Sequence, residues 1–131
     1  MALKLKVDGL KDRDVLHISY GLNRQTDPEG QPAGDVRGGK ITLQVKSTND
    51  GNIEIFEWAC DPRAIKNGSV EFYKMDKTNM KTLNFEQGFL VNYEEVYDLN
   101  DNNSQIEIFT ISAKKISIGS AVHNNKWTID E

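Results

Sequence analysis

The sequence predicts a mainly β domain whose central element is a long β-hairpin, residues 81–118. Apolar and aromatic residues alternate with polar ones from Leu83 to Tyr97, which is typical of a strand with one buried face. Residues 98–104 are polar apart from Leu99 and favour a turn. The return segment, residues 106–118, changes its alternation phase twice, as strands do at a bulge or a barrel corner. Because a hairpin alone is unstable in water, the rest of the chain is expected to cover it.

Four shorter strands are predicted outside the hairpin. Alternating apolar and polar residues mark residues 2–8, 15–22, 40–46 and 69–76 as half-buried strands. A short turn around Gly9 separates the first two, so they are expected to form a hairpin. Because closure removes exposed strand edges, we predict a β-barrel of two antiparallel sheets with one short flanking α-helix and an extended Pro/Gly-rich loop.

The helix is predicted over about residues 50–60. Ile53, Phe56 and Cys60 lie near one stripe at helical spacing, and Pro62 marks where the helix should end. A helix of this length is too short to persist alone, so its apolar side is expected to pack on the sheet. Cys60 has no neighbouring cation that would make it a thiolate, and we interpret it as a small core residue.

Residues 24–38, here called the arm, interrupt the strand pattern with a Pro- and Gly-rich segment. Its only apolar side chains besides proline are Ala33 and Val36. Long loops without secondary structure are generally functional or disordered, so the arm is either a floppy insertion or a segment that orders by docking on another subunit. Pro28 and Pro32 reduce the entropy lost on docking, which favours the second interpretation.

Composition and charge fit one domain spanning residues 1–131. The formal charge is −4, whereas a nucleic-acid or anionic-membrane binder would carry a basic excess, so neither partner is predicted. Apolar runs are too short for a membrane-spanning helix, and the first residues lack a signal peptide's apolar core. We therefore expect synthesis and folding in the cytoplasm, and any export by a route that reads no Sec signal.

The sequence carries no motif of a catalytic, cofactor or metal site. Cys60 is the only cysteine, which rules out an internal disulfide or a cysteine-based metal site. His17 and His123 occupy no metal-ligand spacing, and no nucleophile elbow or phosphate-binding loop occurs. Glu94 and Glu95 would point to opposite faces of a strand, which indicates a solvated strand end rather than an acid/base pair. No catalytic residue, cofactor or metal is therefore predicted.

The order of these motifs resembles the Hcp/TssD family, the tube-forming proteins of type VI secretion systems, and most of all its Bacteroidetes branch. The resemblance covers essentially the whole chain and agrees with a barrel flanked by a helix. It rests on RGG at 37–39, EWACDP at 57–62, VEFYK at 70–74, LNFEQGFLVNYEE at 83–95, FTISAKKISIG at 109–119 and HNNKW at 123–127.

The resemblance implies a structural subunit rather than an enzyme. Such proteins assemble head to tail into hexameric rings, which stack into a tube that a contractile sheath propels and a spike protein tips. The tube leaves the cell by the type VI route and may carry or stabilise effector proteins in its lumen. The resemblance also implies that the arm reaches an adjacent subunit or ring. The candidate interface residues are Arg24, Thr26, Asp27, Pro28, Glu29, Gln31, Pro32, Asp35, Val36 and Arg37.

Two other classes of function remain open from the sequence. A monomeric β-barrel that binds a small ligand or glycan would need an apolar or aromatic concavity, and aromatic residues make up only 8% of the chain. A small hydrolase built on Cys60 and His17 or His123 would need a reactive thiol.

Overall fold

The protein is described here from a computed structural model that covers residues 2–48, 50–98 and 105–127. Six strands form a closed antiparallel barrel, a seventh pairs beside it, and one short helix lies within the described ranges. The elements are β1 (Ala2–Val7), β2 (Arg13–Tyr20), β3 (Lys40–Lys46), α1 (Glu54–Cys60), β4 (Lys66–Tyr73), β5 (Asn79–Val96), β6 (Ile106–Ile118) and β7 (Ala121–Asn124).

Strand β6 closes the barrel because it pairs with three other strands. It pairs with β5 along its whole length, with β3 from Ile106 to Ser112, and with β7 from Lys115 to Ile118. The strand order is β3-β2-β1-β4-β5-β6, and β6 then returns to β3. The predicted barrel is confirmed, and its two expected sheets form one continuous sheet.

Apolar side chains from all six barrel strands fill the interior. The largest of them are fully buried, so the interior of the described barrel is a packed core. One buried side chain from each strand in chain order is Leu5, Val15, Leu43, Val70, Phe85 and Phe109.

The long hairpin is confirmed, but β5 does not keep one buried face as the sequence predicts. Phe85 is buried, Gln87 then adopts a left-handed φ of 53°, and Gly88 becomes the next buried residue. A further register shift at Val91 turns this side chain outward, where it is 55% exposed, and Tyr97 is 56% exposed. Each irregularity moves the following side chains to the other face of the strand.

On β6, one of the two predicted phase changes is observed. The buried positions are odd from Glu107 to Ala113 and then move to Ile116. The change coincides with the left-handed Gln87 on the paired strand, so the hairpin bends as a unit. The second predicted change of phase, near Ile108, does not occur. Ile106 and Ile108 are half-buried on the face opposite Glu107.

The resulting alternation places Glu107 inside the protein, where it pairs with Arg13. The two side chains are each only 4% exposed. Arg13 Nη2 donates to Glu107 Oε1 and, at 2.8 Å, to the carbonyl oxygen of Lys46. The Tyr93 hydroxyl donates to Glu107 Oε2 at 2.7 Å. The ion pair therefore links β2, β3, β5 and β6. This pair was not predicted, because Arg13 lies outside the predicted second strand, residues 15–22.

Strands β2 and β4 begin earlier than predicted. β2 starts at Arg13 rather than at residue 15, and a register irregularity between Val15 and His17 leaves Leu16 54% exposed. The predicted apolar face of residues 16–22 is therefore wrong in part, since Val15 supplies the buried side chain instead. β4 starts at Lys66, three residues before the predicted 69. Its pairing with β1 runs from Tyr73 back to Gly68, which pairs with Val7.

Helix α1 is shorter than predicted and buries a neighbouring stripe. Ile55 and Trp58 are its buried residues, whereas Phe56 is 51% exposed. Cys60 is also exposed, so its interpretation as a core residue is wrong. The large apolar area of Trp58 gains more from burial than the smaller cysteine does, which explains the rotation of the helix. The predicted turn at 98–104 lies outside the described residues except for Asp98.

We expect Glu107→Ala to lower the free energy of unfolding by about 3–5 kcal/mol, because it leaves the Arg13 charge buried without its partner. The double variant Arg13→Met/Glu107→Leu removes both charges and should recover most of this loss. Urea unfolding at one protein concentration measures both. A stability of Glu107→Ala within 1 kcal/mol of the wild type would contradict the buried pairing.

The hydroxyl of Tyr93 should make stability sensitive to alkaline pH. Burial and the hydrogen bond to Glu107 raise the pKa of Tyr93 above its ordinary value. A raised folded-state pKa gives a contribution that is complete below about pH 10 and is lost as pH rises through the folded pKa. Tyr93→Phe should therefore lose less unfolding free energy than the wild type between about pH 9 and pH 11. If urea titrations show that the wild type and Tyr93→Phe lose the same free energy of unfolding over this pH range, the result would contradict this prediction.

Candidate assembly interface

The arm forms a two-stranded finger outside the barrel. At its base, Asn23 and Arg37 exchange backbone hydrogen bonds, with N···O distances of 2.7 and 2.6 Å. Further out, Thr26 and Pro32 form an isolated antiparallel bridge. The Arg24 guanidinium also crosses the finger, since its Nε donates to a backbone carbonyl on the opposite side at 2.7 Å. The arm is therefore ordered within one chain and is not an irregular loop.

The side chain of Asp27 holds the tip of the arm. Its Oδ1 accepts the backbone N–H groups of Glu29 and Gln31 at 3.0 and 2.9 Å. Gly30 adopts a φ of 84°, which a residue with a side chain rarely adopts, and Pro28 has a fixed φ. These contacts preorganise the tip, so less entropy is lost when it docks.

The arm buries little surface against its own barrel. Lys126 Nζ lies 3.8 Å from Asp35 Oδ2, and both side chains are more than 80% exposed, so this ion pair adds little stability. Asp27 alone among the candidate interface residues is half-buried. The candidates that are exposed are Arg24, Thr26, Pro28, Glu29, Gln31, Pro32, Asp35, Val36 and Arg37.

The base of the arm is clamped by the C-terminal segment. Gly39 has a φ of 94°, and a Cβ there would lie 2.3 Å from the Ala113 carbonyl oxygen. Asn125 Nδ2 donates to the same oxygen at 3.1 Å. The centre of the Trp127 ring lies 5.9 Å from that of Phe89, so the C-terminal segment also contacts β5. These contacts hold the base of the arm in one position relative to the barrel.

The side chains considered for chemistry lie on separate elements. His17 is on β2, Cys60 ends α1, and His123 is on β7. Glu94 and Glu95 are both exposed, and Glu95 accepts the Tyr97 hydroxyl at 2.9 Å. Among the described residues, no group of three or more His, Cys, Asp or Glu side chains could hold a metal ion. No helix within the described ranges is long and apolar enough to cross a membrane.

Comparison with known proteins identifies close structural relatives. Residues 1–128 match the family model "TssD: Hemolysin coregulated protein Hcp (TssD)". The structure of Hcp1 from Flavobacterium johnsoniae, a Bacteroidetes species, has 41% sequence identity and a TM-score of 0.89, covering 95% of this chain and 100% of that chain. The curated proteins contain no match.

Two more distant structures have the same fold. The Hcp1 protein of the E. coli EAEC 042 pathovar has 16% identity and a TM-score of 0.77, covering 97% of this chain and 99% of that chain. The PVC sheath/tube terminator of an extracellular contractile injection system has 18% identity and a TM-score of 0.64, covering 90% and 93%. With the family match and the 41% identical relative, they lead to one conclusion: the chain belongs to the TssD (Hcp) family, the tube proteins of type VI secretion.

Proposed function

We propose that copies of this chain assemble head to tail into hexameric rings, which stack into the inner tube of a type VI secretion system. The observation that carries the proposal is the arm, because it is ordered and preorganised but buries almost nothing on its own chain. Such a segment is suited to complete its contacts on a neighbour. A ring of identical subunits uses a heterologous interface whose rotation closes.

The exposed apolar side chains of the barrel support the same proposal. Obligate interfaces typically bury about 2,000 Å² or more and are rich in apolar area. Large hydrophobic side chains are exposed on several strands and on the arm, so they would be covered in an assembly. Those on the strands and the arm are Leu16, Val36, Met80, Val91 and Val122, at 41–57%, and Leu22, between β2 and the arm, is 60% exposed.

The barrel itself is suited to a tube wall. Its packed interior and the long β5–β6 ladder resist deformation along the hairpin, which propulsion by a contractile sheath requires. We propose that the partners are the sheath and spike proteins of the system and effector proteins carried in the lumen. The tube subunit would leave the cell by the type VI route.

The small-ligand alternative has weaker support. The apolar groove at the barrel end, beside Leu22 and Val122, has a volume of about 190 Å³. Sites for small ligands usually have about 300–1,000 Å³. This groove is therefore too small for such a ligand. A larger cleft of about 470 Å³ lies between α1 and the far end of β5, beside the helix and not in the packed interior of the barrel.

Purified protein should form rings that negative-stain microscopy resolves, and it should sediment as an oligomer at tens of micromolar. Rings are expected because the arm and the apolar surface remain uncovered in one chain. A protein that sediments only as a monomer at that concentration would contradict the proposed function.

Deleting residues 27–35 should leave the barrel folded and weaken the contacts between subunits or rings. The deleted tip hydrogen-bonds to other arm residues, so the core loses nothing. Circular dichroism tests the fold, and sedimentation tests the assembly. Lys126→Ala is the control, because it breaks the weak contact of the arm with its own chain but keeps the arm intact. If the deletion leaves the assembly state unchanged, the arm is an insertion without a role in the contacts between subunits.

A further inference from the structure

We propose that the β4–β5 turn of one copy docks into a cleft beside α1 of the next copy. The turn, residues 74–78, is here called the knob, and the cleft lies between α1 and the far end of β5. This inference rests on the proposed assembly of identical subunits and names one contact within it, separate from the arm.

The knob is a rigid turn that presents one apolar side chain. Met75 is 88% exposed, the highest value among the exposed large hydrophobic residues described. The Lys74 N–H donates to the Thr78 carbonyl at 2.8 Å, and Asp76 Oδ1 accepts the Thr78 N–H at 3.0 Å. Lys77 has a left-handed φ of 68°, which is uncommon for a residue with a long side chain. Backbone strain of this kind often accompanies binding sites.

The knob is also basic. Lys74 and Lys77 flank Met75 and Asp76, so the turn carries two positive charges and one negative charge. The ammonium of Lys81, just beyond the knob, lies 4.9 Å from the centre of the Phe72 ring. A partner for this turn should therefore offer an apolar or aromatic surface together with carboxylates.

The cleft beside α1 has these properties. Its volume is about 470 Å³, and the rings of Phe56 and Tyr93 in its wall lie 5.6 Å apart. The Ser47 hydroxyl in its lining is buried and has no hydrogen-bond partner among the described residues. The lining also includes polar residues on both sides, and its aromatic, aliphatic and acidic members are Ile53, Phe56, Tyr93, Glu95, Tyr97 and Glu107.

The chemistry of the two surfaces is complementary. The methionine thioether makes favourable contacts with aromatic rings, here Phe56 and Tyr93. Exposed Glu95 can pair with a lysine of the knob, whereas Glu107 is already paired with Arg13. The first turn of α1 also carries two acidic side chains, Glu54 and Glu57. A basic, methionine-bearing turn therefore fits the cleft better than an acidic segment would.

The two surfaces lie at opposite ends of β5, so they join different copies. Asn79 follows the knob, and Tyr93 lies at the cleft, up to about 45 Å along an extended strand. A contact between unlike surfaces of identical subunits is heterologous and repeats head to tail. Docking of the knob of each copy into the cleft of the next would therefore give the head-to-tail arrangement of the proposed assembly.

Cysteine cross-linking between tagged and untagged copies tests this contact. All variants carry Cys60→Ser, because Cys60 is exposed at the end of α1. Met75→Cys in one copy should form disulfides with Ile53→Cys in the other at least tenfold faster than with Val122→Cys. Val122 is the matched control for Ile53, since each side chain is 57% exposed in one chain.

Equal rates with Ile53→Cys and Val122→Cys would overturn the docking, and they would be expected if another ligand or protein occupies the cleft. Rings in the micrographs together with equal rates would leave the proposed function intact. Monomers without rings or cross-links would overturn both. Glu95→Lys on the Ile53→Cys copy should slow the reaction, and Lys77→Glu on the Met75→Cys copy should restore it. An unchanged rate with Glu95→Lys would overturn the charge pairing.

Discussion

The structure depends on the backbone ladder between β3 and β6. Residues Lys40–Lys46 pair in continuous register with Ile106–Ser112, and this ladder converts an open sheet into a barrel. Without it, both strands would present unpaired edges, and the core beneath them would be open to water. Closure also fixes the position of the arm, because the arm is the connection that leads from β2 into β3.

The Arg13–Glu107 pair lies beside this ladder, since Arg13 also donates to the carbonyl oxygen of Lys46 at the end of β3. Burial of two charges costs desolvation energy, so such a pair is weak support for stability. Removing one partner is nevertheless expensive, so the pair favours a single relative position of β2 and β6 on the two sides of β3. We interpret the pair as a constraint on how the barrel closes.

The sequence predicted the features that follow from local patterns. The long hairpin, the helix and the arm each have a period or composition of their own. It did not predict features that depend on contacts between strands. Gln87 moves the buried side chains of β5 to the other face of the strand. Glu107 is buried although it lies between Ile106 and Ile108, the apolar residues of that segment. Cys60 was misplaced because the burial of Trp58 sets the rotation of α1.

The candidate interface could be located from sequence because prolines, glycines and few apolar residues mark an exposed segment. Its finger structure could not, because the pairing of Thr26 with Pro32 depends on a carboxylate, Asp27, that organises the tip through its backbone neighbours. The knob at residues 74–78 was also missed, since the predicted strand 69–76 ran through it. Met75 therefore seemed to be part of a strand, whereas the structure exposes it.

We expect the barrel to be stable within one chain and separate surfaces to become buried only between chains. Amide hydrogen exchange of dissociated and assembled protein tests this separation most directly. We expect the amides of β3 and β6 to be equally protected in both states, and those of residues 24–37, some of which are already hydrogen-bonded within one chain, to gain further protection on assembly. Equal protection of the arm in both states, or rapid exchange of β3 and β6 in the dissociated chain, would contradict the account.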